Sequence, residues 1–120
     1  MQLEITVEDV DGYQVVVPRG EVDIATNGQL KTVINDLVVD GKVNLVVDLS
    51  EVDFLDSTGL GALIGGRRKA HAFKGSFAIV CADEQLLKVF RITGLDKVFA
   101  IHDNRADAIK GPEFESSPEG

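Results

Sequence analysis

Hydrophobic and polar residues alternate in two short segments at the start of the chain. Residues 3–7 (LEITV) and 13–15 (YQV) show this pattern, and Asp11-Gly12 lies between them. A period of two is typical of strands with one buried face, and Asp-Gly favours a tight turn. The pattern therefore predicts an antiparallel hairpin at one sheet edge. Pro18 has no amide hydrogen, so we expect it at a bulge or an unpaired position where the second strand leaves the sheet.

Beyond the hairpin, helical stripes alternate with continuous apolar runs. A stripe spaced three and four residues apart predicts a first helix that ends near Asp40-Gly41. Residues 43–49 and 76–82 are apolar runs of strand length, typical of strands buried on both faces of a parallel sheet. A helix from about Ser57 to Lys74, stopped by Gly75, is predicted between them. The stripe of the first helix consists of Leu30, Val33, Ile34, Leu37 and Val38.

The same alternation continues toward the C-terminus. Residues 84–93 predict a third helix with Gly94 as its stop, 98–101 a short last strand, and 104–110 a final short helix. The order of elements predicts a single α/β domain. We expect a mixed, mostly parallel sheet of about five strands, with the antiparallel hairpin at its edge and about four helices.

Composition narrows the class of protein. A chain of 120 residues with 44% hydrophobic content suits one soluble domain, which we expect over residues 1–110. The acidic segment 111–120 is expected to be disordered because its composition cannot bury a core. The sequence shows no membrane-length apolar run and no signal-peptide pattern, which predicts a cytoplasmic protein. A net charge of −8 opposes nucleic-acid binding, and the single cysteine, Cys81, is expected to be a small buried hydrophobic residue.

One segment of the chain offers candidate chemistry. Residues 52–61 (VDFLDSTGLG) follow an apolar strand and open a helix, so an exposed loop is expected between the two. Asp56 and Ser57 have N-cap chemistry, and the first amides of a helix favour an anion. Ser57 is thus placed to carry a phosphate without melting the helix. The simpler alternative is a helix cap without a regulatory role.

Catalytic and cofactor interpretations of this segment lack support. Gly59, Gly61 and Gly65 miss the dinucleotide-binding spacing by one residue, and no P-loop lysine follows. The pattern also lacks the glycine that precedes a hydrolase nucleophile, and neither His71 nor His102 can be placed beside the serine. The histidines and the cysteine show no metal-ligand spacing. We therefore expect no catalytic residue, no metal and no cofactor.

Small residues are also concentrated in this helix. An interior glycine costs about 0.5 to 1 kcal/mol relative to alanine, so the concentration suggests that another backbone approaches closely. That backbone could belong to the domain's own sheet or to a partner protein. The small residues are Gly59, Gly61, Ala62, Gly65 and Gly66.

Three segments carry a family resemblance. They are residues 20–23 (GEVD), 52–61 with DSTGLG, and 92–99 (ITGLDKVF), and the order of elements agrees from about Leu3 to Ile109. These segments resemble the STAS-domain anti-sigma factor antagonists of bacteria. The resemblance implies a regulator and not an enzyme. It would bind an anti-sigma factor serine kinase when unphosphorylated, free a sigma factor, and be inactivated when the kinase phosphorylates Ser57; a serine phosphatase would reverse the modification.

The resemblance also implies a site. Thr58 is the alternative acceptor, but its β-branched side chain is less free to turn toward a kinase. Asp23 and Asp56 are expected to cap helices, and both could also orient Ser57. Two alternatives remain open: a STAS scaffold in which Ser57 is only a cap, and a module that binds a small ligand or nucleotide at the same helix start. The implied partner-binding residues are Asp23, Asp56, Ser57, Thr58, Gly59, Leu60 and Gly61.

Overall fold

The strands and helices follow the predicted order, with one additional strand between the third strand and the second helix. The computed structural model describes residues 3–110, so the predicted tail at 111–120 lies outside the described residues. The elements are β1 (Glu4–Val10), β2 (Tyr13–Val22), α1 (Asn27–Val39), β3 (Asn44–Asp48), β4 (Val52–Leu55), α2 (Ser57–Ala72), β5 (Ser76–Val80), α3 (Glu84–Thr93), a 3-10 turn (Leu95–Lys97), β6 (Ala100–His102) and α4 (Arg105–Lys110).

The strands form one mixed sheet in the order β1-β2-β3-β5-β6, with β4 paired to β2. Only β1 and β2 are antiparallel among these pairs, which confirms the mostly parallel sheet with an edge hairpin. Asp11 and Gly12 both have positive φ angles, 52° and 86°, as a two-residue hairpin turn requires. The described part of the chain has six strands instead of about five. The extra strand is β4, a segment that was expected to belong to an exposed loop.

Pro18 occupies a gap in the ladder. It pairs with Ile5 of β1 on one side of β2. On the other side, the ladder to β3 stops at Val16 and the ladder to β4 starts at Gly20. On that side, the lack of an amide hydrogen therefore costs Pro18 no ladder hydrogen bond. The expectation that β2 leaves the sheet at Pro18 was wrong, because the strand continues to Val22 and exchanges one parallel neighbour for another.

The two faces of the sheet are covered unequally. Helices α1, α2 and α3 cover one face with the larger hydrophobic cluster, and α4 covers the other. Strands β3 and β5 contribute residues to both clusters, which explains their continuous apolar runs. Cys81 is buried as predicted, and burial raises the pKa of its thiol.

The helix ends show two uses of glycine. Gly94 directly follows α3, and Gly41 follows Asp40, the C-cap of α1; both adopt left-handed φ angles, 77° and 83°, as predicted. After α2, the left-handed residue is Lys74 with φ 66°, so Gly75 does not serve as the stop. Instead, a Cβ on Gly75 would overlap the carbonyl oxygen of Val43. Gly75 is therefore needed for a close approach between two chain segments.

An ion pair joins α4 to the sheet. Arg105 Nε donates to Asp48 Oδ2 at 2.6 Å, and Arg105 Nη1 donates to Glu8 Oε1 at 3.2 Å. Burial alone would raise the pKa of Asp48, but hydrogen bonds from Ser50 and Arg105 outweigh burial and hold that pKa below its ordinary value. The C-terminal helix is thus tied to two strands by one guanidinium group.

Candidate functional site

Two loops meet where β2 and β4 end. Val22 pairs with Leu55, so the loop that begins at Asp23 lies beside the start of α2 at Asp56. The Asp56 amide also donates to the Val22 carbonyl at 3.2 Å. The structure therefore brings together the two aspartates that the sequence had associated only through a resemblance.

Asp56 is the N-cap of α2, as predicted. Its Oδ1 accepts hydrogen bonds from the Thr58 amide at 2.9 Å, the Gly59 amide at 3.0 Å and the Thr58 hydroxyl at 2.6 Å. These bonds, first that from the Thr58 hydroxyl and then that from the Gly59 amide, hold the pKa of the Asp56 carboxyl below its ordinary value. The Ile24 amide acts in the same direction on this pKa.

Ser57 is the first residue of α2 and is exposed. Within residues 3–110 its side chain forms no hydrogen bond, so an enzyme could reach the hydroxyl without displacing a contact. The sequence predicted that free helix amides would favour an anion here. The structure shows that Asp56 already occupies the amides of Thr58 and Gly59. A phosphate on Ser57 would therefore lie beside a carboxylate and not in an empty amide cradle.

Asp23 accepts hydrogen bonds within the other loop and does not cap α1 directly. Its Oδ1 accepts from the amides of Ala25 at 2.9 Å and Thr26 at 3.1 Å. Thr26 is the N-cap residue of α1 and is buried, and its hydroxyl donates to the Glu21 carbonyl at 2.7 Å. The same hydroxyl accepts from the Asp23 amide at 3.0 Å. Thr26 was not predicted from the sequence, although the Asp-x-x-Thr spacing is a turn signal.

The small residues of α2 divide into two groups. A Cβ on Gly59 would lie 2.7 Å from Leu55 Cδ1 and 2.8 Å from the Val22 carbonyl oxygen, so the close backbone is the domain's own strand β2. Gly66 is similarly close to Ile34. In contrast, no atom lies within 4 Å of a Cβ built on Gly61. Of the implied partner-binding residues, Gly59 is therefore used for packing, whereas Gly61 is exposed.

Leu60 is buried in the core cluster that α2 shares with the sheet. It can affect a partner surface only by positioning the first helical turn. Two other hydrophobic residues at this end of the sheet are exposed, Ile24 and Phe54. Neither residue was predicted from the sequence.

Other kinds of site find no support in the part of the chain that the structure describes. His71 lies fourteen residues beyond Ser57, about 21 Å along the helix axis, and His102 belongs to β6, with β3 and β5 between it and β2. No cluster of three or more potential ligands among residues 3–110 could hold a metal ion. In the same range, no helix combines the length and apolar character needed to cross a bilayer.

Known proteins are similar to this chain in both sequence and fold. The STAS domain family profile matches residues 4–108. The anti-sigma-F factor antagonist RsfB of Mycobacterium tuberculosis is 33% identical over 109 residues, which cover 91% of this chain and 88% of RsfB. The crystal structure of an anti-sigma factor antagonist from Mycobacterium paratuberculosis superimposes with a TM-score of 0.84 at 35% identity, covering 92% of this chain and 94% of that one.

The fold also matches SpoIIAA in two states. The unphosphorylated form gives a TM-score of 0.70 at 21% identity, covering 90% of this chain and 99% of that one. The phosphorylated form, from Bacillus, gives 0.68 at 22% identity, covering 89% and 97%. The names of these relatives describe regulators and not enzymes. This chain belongs to the STAS domain family, with the anti-sigma factor antagonists.

Proposed function

We propose that this protein is an anti-sigma factor antagonist controlled by phosphorylation of Ser57. Unmodified, it binds an anti-sigma factor serine kinase through the surface around Ser57, and the sigma factor held by that kinase is released. The observation that supports this most is the exposed Ser57 hydroxyl, which has no hydrogen bond within residues 3–110 and lies where two hydrogen-bonded loops meet. The names of the relatives support the same proposal.

The modification is a phosphoryl transfer from ATP bound to the kinase. Ser57 Oγ attacks the γ-phosphorus, the Oγ–P bond forms, the bond to the ADP oxygen breaks, and the hydroxyl proton passes to a base of the kinase. A serine phosphatase restores the hydroxyl when water attacks the phosphorus and inorganic phosphate leaves. The exchange takes place in the cytoplasm and needs no nucleic acid, membrane or bound cofactor on this protein.

The phosphate switches binding off by charge. It adds about −1.5 to −2 charges next to the Asp56 carboxylate, whose hydrogen bonds already use the neighbouring amides. In an interface this charge would lose its hydration without gaining a partner of opposite charge. A penalty of about 3 kcal/mol would weaken the affinity about a hundredfold. The fold need not change, and the similar fits to both forms of SpoIIAA support this.

The test measures affinity for a purified anti-sigma factor kinase from the same organism by calorimetry. Ser57→Ala should bind as the wild type does. Ser57→Asp adds a negative charge and should bind at least about tenfold more weakly; the loss is smaller than for phosphate because aspartate carries less charge. Thr32→Asp is the matched control, since it adds the same charge to an exposed position of α1 and should leave affinity unchanged.

Two outcomes would contradict the proposal. Equal affinities of Ser57→Ala and Ser57→Asp would remove the charge argument. If neither the wild type nor Ser57→Ala binds any such kinase of the organism, the antagonist function itself is wrong. A defined self-assembly in that case would favour the scaffold alternative.

A further inference from the structure

Strand β4 contains one irregular position, immediately before the candidate site. Gly20 of β2 pairs with Val52, whereas the next residue, Glu21, pairs with Phe54. One step along β2 thus matches two steps along β4, and Asp53 is the additional residue. This arrangement is a β-bulge, a feature that redirects side chains and is frequent beside functional sites.

The bulge determines which side chain of β4 faces solvent. In a regular strand, residues two apart share a face, so Phe54 would share the buried face of Val52. In this structure Leu55 is buried together with Val52, and Phe54 is 48% exposed. A phenylalanine that a strand could bury is therefore held at the surface, two residues before the N-cap of α2.

A second exposed hydrophobic residue lies on the adjoining loop. Ile24 is 78% exposed, and its amide contributes to lowering the pKa of the Asp56 carboxyl. Because Val22 pairs with Leu55, the loop of Ile24 and the end of β4 are neighbours. Ile24 thus lies two residues beyond the end of β2, and Phe54 lies two residues before Asp56, in the two segments that meet at the start of α2.

We infer that Phe54 and Ile24 are hydrophobic anchors by which the kinase recognises this protein. The inference rests on the proposed function and adds residues that the family resemblance did not supply. Buried aromatic and aliphatic anchors carry most of the binding energy of protein interfaces, and charged rims add specificity. A hydrophobic pair beside the acceptor serine would hold the kinase in place while the hydroxyl remains accessible.

The surrounding charges define the chemistry of the partner surface. The carboxylates near the pair are Glu21, Asp23, Asp53 and Asp56. A complementary surface therefore has an apolar pocket and a rim whose basic groups are paired with these four carboxylates, which leaves none for a phosphate on Ser57. A second copy of this chain fits poorly, because a symmetric contact through the same patch would bring these carboxylates face to face.

The experiment measures the affinity of four alanine variants for the purified kinase of the same organism. Phe54→Ala and Ile24→Ala should each bind at least tenfold more weakly than the wild type. The matched controls are Phe73→Ala and Val39→Ala, whose side chains are 63% and 78% exposed at the C-terminal ends of α2 and α1. Both controls should keep the affinity within twofold.

Several outcomes would overturn the inference. One is that the wild type binds and all four variants bind alike, which would leave the proposed function intact. If the wild type does not bind, the proposed function fails and the inference fails with it. Sedimentation supplies a third outcome, because a wild-type dimer that Phe54→Ala dissociates would assign the pair to self-association. Circular dichroism checks folding, and Phe54→Leu should recover part of the affinity if Phe54→Ala does not fold.

Discussion

The Thr58 hydroxyl donates a hydrogen bond to Asp56 Oδ1 at 2.6 Å, while the adjacent Ser57 is exposed. Two neighbouring hydroxyl groups thus differ in availability. The Thr58 oxygen is committed to the helix cap, and its use as a nucleophile would cost the cap one of its hydrogen bonds. The cap therefore selects between the two candidate acceptors.

The kinase should phosphorylate Ser57 and not Thr58. Incubation of the protein with its kinase and ATP should give a phosphopeptide modified at Ser57. Thr58→Ala should still be labelled at Ser57, whereas Ser57→Ala should remain unlabelled, because the Thr58 hydroxyl is held by Asp56. Mass spectrometry of the tryptic peptides checks this. Efficient labelling of Thr58 in Ser57→Ala would contradict the selection.

Removal of the cap should destabilise the domain. Asp56→Ala loses the acceptor for the amides of Thr58 and Gly59, so the melting temperature should fall by several degrees. Asp53→Ala is the control, because Asp53 is exposed and its side chain accepts no hydrogen bond from other residues in the range 3–110. Calorimetry of both variants should show a clear fall for the first alone. Similar melting temperatures would mean that the cap contributes little.

Glycine substitutions in α2 should have opposite effects on stability. Gly59→Ala places a Cβ against the Val22 carbonyl oxygen and should destabilise the protein by about 1 to 3 kcal/mol. Gly61→Ala and Gly65→Ala meet no atom within 4 Å and should each stabilise it by about 0.5 to 1 kcal/mol. Urea unfolding checks the free energies. A loss of stability in Gly61→Ala would contradict the open surface at that position.

The attachment of α4 should depend on Arg105. Arg105→Ala leaves the buried Asp48 carboxylate without its guanidinium partner and should cost about 1 to 3 kcal/mol of unfolding free energy. The comparison variant is Arg91→Ala, which removes an exposed pair with Glu84 at 3.4 Å and should change stability by less than about 1 kcal/mol. Equal effects in urea unfolding would show that the Asp48 pair contributes no more than a surface pair.

The same carboxylate predicts a pH dependence. The pKa of Asp48 is lower in the folded protein than its ordinary value of 3.8, so its contribution to stability is complete above that value. The contribution is lost as the pH falls through the folded pKa. The wild type should therefore exceed Asp48→Asn in unfolding free energy at about pH 6, and this difference should shrink toward about pH 3. A difference that does not change with pH would contradict the assignment.

The sequence predicted most of the fold because most elements carry a local signal. Each of these signals predicts the element in which it lies. Examples are the hydrophobic stripe of α1, the apolar runs of β3 and β5, and Gly94 at the end of α3. Strand β4 carries no such signal, because its four residues are too few for a period and the bulge at Asp53 breaks the alternation. Its existence depends on β2, thirty residues earlier in the chain.

The candidate site likewise contains residues that local sequence signals could place and residues that they could not. Asp56 and Ser57 could be placed from N-cap chemistry, which is local. Ile24 and Phe54 could not be found, because their environment arises from the pairing of β2 with β4. Thr26 could have been found, because its side-chain hydrogen bonds stay within residues 21–26 and the Asp-x-x-Thr spacing is local. The occupation of the helix amides by Asp56 was also missed, since the sequence shows which groups are available but not which of them bond to each other.

The exposed position of Ser57 has a consequence for the evolution of such domains. Within residues 3–110 no hydrogen bond depends on the Ser57 hydroxyl, so one codon change could remove the proposed modification and leave the architecture intact. The proposed regulation by a kinase and the folding of the domain are thus separately inheritable, and a duplicated gene could keep the fold and lose the regulation.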